Sequence, residues 1–155
     1  MKNFYKRGLT VIELIVVVAV LGIIFSIVIP QFSKMRENQV LKSTLNDITS
    51  SLKKAQTETL ASLDSSSYGV HLQSDKVIIF QGTVFSVGDA NNEIINIISP
   101  ASISDVTLAG VSGDSGDLYF NRLSGTPSKT GTITLTTPNF SKIITISVTG
   151  AISVN

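Results

Sequence analysis

KRGLTVIELIVVVAVLGIIFSIVIP, residues 6–30, is the stretch that decides the fold. From Leu9 to Ile29, 17 of 21 residues are apolar, against 46 of 126 from Pro30 onward. The chain therefore joins two materials, an apolar rod and a polar remainder. As a helix, 21 residues rise about 31 Å, close to the hydrocarbon thickness of a bilayer. The preceding residues carry Lys2, Lys6 and Arg7 and no acid. That asymmetry predicts a cytoplasmic N-terminus and a translocated remainder. The run ends Ile27-Val28-Ile29-Pro30-Gln31-Phe32, without the small-residue pattern of a secretory cleavage site, so the helix is expected to stay attached. Glu13 breaks the apolar run near its cytoplasmic edge. A carboxylate in hydrocarbon costs several kcal/mol, so it marks either a partner or a depth shallow enough to reach the headgroups (on the order of 2.5–3.5 kcal/mol at the helix centre).

Outward from this run, residues 31–63 contain neither Gly nor Pro. Leu41, Leu45, Ile48, Leu52 and Ala55 are spaced four, three, four and three apart, which is one face of a helix. Lys34, Arg36, Glu37, Lys42, Asp47, Lys53, Lys54 and Glu58 occupy the other faces. The period implies an amphipathic helix, continuous with the apolar one, extending about 80 Å from residue 9 to residue 63. The run Asp64-Ser65-Ser66-Ser67 is expected to stop it.

After Ser67 the period becomes two. The runs 68–73 and 76–81, separated by Ser74-Asp75, predict a hairpin. Further strands are expected at 93–98, 105–108, 117–122, 132–137, 143–149 and 151–154, with loops at GVSGDSGD and SGTPSKTG. The fold class is α+β: a long N-terminal helix whose amphipathic half packs on a C-terminal antiparallel β-sheet domain.

Little in the sequence suggests catalysis. There is no Cys and a single His, which removes thiol chemistry, disulfides and multi-His metal sites. His71 lies in an alternating run and is expected at a surface or half-buried strand position. No G-x-S-x-G elbow occurs, and residues 110–116 lack the Lys of a phosphate loop. Asp105, Asp114 and Asp117 offer oxygens to a calcium ion, but not at EF-hand spacing. No catalytic residue, cofactor or metal is therefore assigned. Without the three leader cations, 9 Lys+Arg face 11 Asp+Glu, so nucleic acid is a disfavoured partner.

The leader Lys6-Arg7-Gly8 followed by Leu9-Thr10-Val11-Ile12-Glu13-Leu14 and an unbroken apolar helix resembles the type III signal of type IV prepilins and type II secretion pseudopilins. The resemblance implies cleavage between Gly8 and Leu9 by a membrane prepilin peptidase and N-methylation of Leu9, which stands where most members have Phe. It implies that Glu13 pairs with the Leu9 amine of a neighbouring subunit. It also implies that Gly22 and Pro30 are helix-weakening positions that let subunits pack. The divisions are then 1–8 leader, 9–30 transmembrane and polymerisation helix, 31–63 amphipathic helix and 64–155 β-rich head. Further along, Leu52-Lys-Lys-Ala55, Tyr68-Gly69-Val70, Leu118-Tyr-Phe120 to Gly125, Gly131-Thr-Ile-Thr-Leu and Gly150-Ala-Ile are similar to the GspH/FimT class of minor pilins. The implied partners are other pilin or pseudopilin subunits, the prepilin peptidase, an inner-membrane assembly platform and, before assembly, membrane lipid. The implied location is the inner membrane, single-pass, with the head periplasmic or extracellular, and then the filament. The alternative role is a filament-displayed binding module, an adhesin or DNA-uptake receptor.

Overall fold

The computed structural model describes residues 10–155. Helix α1 (Val11–Leu60) runs through 50 residues with Pro30 inside it. Nine strands follow among the described residues: β1 (Tyr68–Leu72), β2 (Lys76–Gln81), β3 (Glu93–Asn96), β4 (Ser102–Leu108), β5 (Val111–Gly113), β6 (Gly116–Tyr119), β7 (Gly131–Thr136), β8 (Ser141–Ile146) and β9 (Ile152–Val154). They form two antiparallel sheets, ordered β3-β2-β1-β6 and β5-β4-β7-β8-β9. The chain divides into two units, one ending at Arg36 and one spanning Glu37–Asn155.

In the second unit, α1 buries Leu41, Ile48, Leu52 and Ala55 against both sheets, and Leu45 is half-buried. This is the predicted stripe. Thr44, Ser51 and Thr59 are buried with it, which a count of apolar residues misses. Small hydroxyl side chains tolerate burial when the preceding turn accepts their proton. Ser51 Oγ donates to the Asp47 carbonyl at 2.7 Å, and Thr59 Oγ1 donates to the Ala55 carbonyl at 2.8 Å. Thr59 Oγ1 also accepts the Tyr68 N–H at 2.8 Å, which ties the helix end to the first strand. The helix closes at Leu60, ahead of the serine run, because Ser62 turns into the left-handed region at φ 48°.

The β1–β2 hairpin forms in the predicted place, with Leu72 opposite Val77 and Tyr68 opposite Gln81. Its exposure differs from the sequence reading. All five residues of β1 are buried, as are Val77–Phe80 of β2. Tyr68, Val70, Leu72, Val77 and Ile79 belong to the main core. Gly69, His71, Ile78 and Phe80 point to the opposite face by strand alternation. There Phe85, from the connection 82–92, stacks on His71 and meets Phe80 edge-on. His71 is therefore only 9% exposed, and its expected surface or half-buried place is corrected.

β5 is the strand that the sequence hides. Ala109 (φ 51°) and Gly110 (φ 79°) make a tight turn with both central residues left-handed, pairing Leu108 with Val111. Its residues sit inside the glycine-rich run that reads as a loop.

Candidate assembly helix

The helix begins with a reciprocal cap. Thr10 Oγ1 accepts the Glu13 N–H at 3.3 Å, and Glu13 Oε2 accepts the Thr10 N–H at 3.5 Å. The Leu14 N–H reaches the Thr10 carbonyl at 3.1 Å. This is a capping box, in which two of the donors that a helix start leaves without partners are satisfied by each other's side chains. A carboxylate in the first turn also complements the positive end of the helix dipole. Glu13 thus has a local acceptor role as well as the one implied by resemblance. Thr10 carries half of that cap, a role that the sequence reading does not assign to it. The pattern Thr-x-x-Glu ahead of an apolar run was the available signal.

Every residue from Val11 to Arg36 is exposed. Val11, Ile12, Ile23, Ile27 and Ile29 each show more than half of their surface. The run is long and apolar enough to cross a membrane, and none of it is buried within the chain. A contiguous apolar surface of this extent needs lipid or another chain to cover it. Phe32 and Met35, 65% and 69% exposed, continue it beyond Pro30 and lie one turn apart. Lys34 and Arg36 interleave with them.

Gly22 lies exposed within the helix, and a Cβ built there meets no atom within 4 Å. Pro30 lies within the helix and has no N–H to give the Ser26 carbonyl. Gly8 and Leu9, the predicted cleavage pair, lie outside the described residues.

The residues weighed for chemistry do not converge. Asp105 accepts from Thr107 Oγ1 at 2.7 Å and from Ser112 Oγ. The Ser112 hydroxyl first, and then that of Thr107, hold the Asp105 carboxyl below its ordinary range. Asp117 binds His71 instead, and Asp114 joins neither contact. No group of three or more metal-ligating side chains occurs among the described residues. On the helix, Lys54 lies 4.0 Å from Glu58 and pairs with Glu93 on β3. The hydrogen bond to Glu93 raises the Lys54 ammonium above its ordinary range.

Compared with known proteins, residues 3–29 match the prokaryotic N-terminal methylation motif. No curated protein and no solved structure matches the chain. The matched residues cover the leader from Asn3, with Lys6 and Arg7, the predicted cleavage pair, the cap and the apolar run. The chain therefore carries the N-terminal methylation motif of type IV pilin-like proteins.

Proposed function

We propose that this chain is a structural subunit of a filament, cut between Gly8 and Leu9, methylated on Leu9 and polymerised through the helix that follows. The observation that carries the reading is the contrast along α1. Its Leu41–Thr59 face is sealed into the head, while Val11–Arg36 has no cover of its own. Lipid covers that surface before assembly, and the same segment of neighbouring subunits covers it afterwards. The filament is a type IV pilus or a type II secretion pseudopilus, and the chain is a minor, GspH/FimT-like component of it.

In this reading Glu13 changes partner. In the single subunit it closes the cap with Thr10. In the filament its carboxylate meets the methylated Leu9 amine of a neighbour. A buried charge without a partner is costly, so docking in register is favoured over docking out of register. Gly22 and Pro30 are the places where the helix yields as subunits pack. The platform partner and inner-membrane location follow from the same reading.

Co-expression with a prepilin peptidase tests the processing step. The parent chain and Glu13→Ala both lose residues 1–8, but only the parent enters filaments in normal amounts. Normal incorporation of Glu13→Ala removes the pairing role, and an uncut parent chain removes the reading as a whole.

A further inference from the structure

The connection 82–92 crosses the face of the β3-β2-β1-β6 sheet that the helix does not cover. It is held by its own bonds: the Gly82 N–H donates to the Ser67 carbonyl at 2.7 Å, and Asn92 Nδ2 donates to the Ser86 carbonyl at 2.8 Å. Its one aromatic residue, Phe85, lies flat on the His71 ring, with centroids 4.0 Å apart and planes within 6°. Asp117 sits opposite His71 on β6 and binds its Nδ1. Nε2 is buried and has no partner.

These contacts fix the neutral tautomer. An ionised carboxylate only accepts, so Nδ1 carries the proton and Nε2 is a bare lone pair. Charging the ring adds an N–H at Nε2, which is buried and faces no acceptor among the described residues. A buried donor left unmade is penalised more than a made bond is rewarded. Asp117 and the Phe85 face both favour the charged ring. The Asp117 side chain, however, is 48% exposed and partly screened by solvent. It also stays opposite His71 through the β1–β6 ladder if the strap lifts. The lifted state thus keeps the Asp117 pair and lets water reach Nε2, at the expense of the stack and of the Phe85 edge contact with Phe80.

We propose that His71 is a proton-operated latch: neutral, it holds the 82–92 strap down through Phe85, and protonated, it releases it. The ordinary titration of His falls between about pH 5 and pH 8, the range in which a surface domain meets its surroundings. The other titratable groups on this face are Asp117 and Tyr119 on β6, Lys76 on β2 and Asp89 in the strap. β1 offers only His71, and β3 presents Ile94 and Asn96. Of these, Asp117 alone touches the ring by a polar contact. A ligand that binds only the lifted strap would be coupled to pH through the same equilibrium.

Hydrogen exchange on the full chain in detergent micelles, at about pH 7.5 and about pH 5.5, tests the latch across the His titration range. After correction for intrinsic exchange, the parent's 82–92 amides lose roughly tenfold protection on acidification while those of β7 and β8 do not. His71→Phe keeps a ring under Phe85 and cannot be charged, so its strap shows no such change. A parent strap that keeps or gains protection at the lower pH overturns the proposal. So does an equal loss in His71→Phe.

Discussion

Glu13 is asked to do two things, and substitution separates them. Glu13→Gln keeps an oxygen that can accept the Thr10 N–H but removes the charge offered to a neighbour's amine. Its helix should start as before and its cleavage should proceed, while its share in sheared filaments falls. Thr10→Val is the complement. It removes the hydroxyl that accepts the Glu13 N–H at 3.3 Å. Loss of such a cap costs about 1 kcal/mol of local helix stability. Exchange of the first-turn amides should rise with the head unaffected. Within the head, a single added carbon meets the backbone of a neighbouring strand. A Cβ at Gly131 would collide with the Thr107 carbonyl across the β4–β7 ladder. Gly131→Ala should therefore lower stability by about 1–3 kcal/mol. Gly22→Ala, with open space around it, should leave the head's unfolding midpoint unchanged, as read by thermal unfolding in micelles.

Among the elements, α1 does most of the joining in the head. Gln56 Nε2 donates to the Gly125 carbonyl at 2.9 Å and to the Gly150 carbonyl at 3.2 Å, so one side chain holds two turns against the last helical turns. Gln56→Ala leaves both carbonyls without that donor. It should cost about 1–3 kcal/mol and raise exchange in both turns before the rest of the domain. One contribution to acid tolerance lies in the β4–β5 hairpin. The Ser112 and Thr107 hydroxyls lower the folded pKa of Asp105 from its ordinary 3.8. A lowered folded pKa contributes stability that is present above the ordinary carboxylate range and lost as pH falls through the folded value. Ser112→Ala should therefore move the acid-unfolding midpoint upward in pH, measured by circular dichroism. The elements also differ in how far the sequence discloses them. The α1 stripe and the β1–β2 hairpin are written in periods of 3.6 and 2, and both form where those periods place them. Ser51 and Thr59 are silent because their burial rests on bonds to their own helix. β5 is silent because a turn with two left-handed residues and a three-residue strand look alike in glycine-rich sequence. The burial of His71 is silent because it depends on Phe85, brought back from a separate loop.

For the whole molecule, composition averages conceal the division that matters. The near balance of 12 bases and 11 acids combines a cationic leader with a slightly acidic remainder. The apolar fraction combines an uncovered helix with a head that has a core of its own. The residues matched by the methylation motif end at Ile29, close to the boundary between the two units at Arg36. The central claim is that the exposed half of α1 is an assembly surface made available by cleavage. Its most direct test is the intact mass of the chain recovered from sheared filaments of cells that also express a prepilin peptidase. The account predicts a chain beginning at Leu9 and carrying one added methyl group. Recovery of the chain only from the membrane fraction, with residues 1–8 still attached, would contradict it.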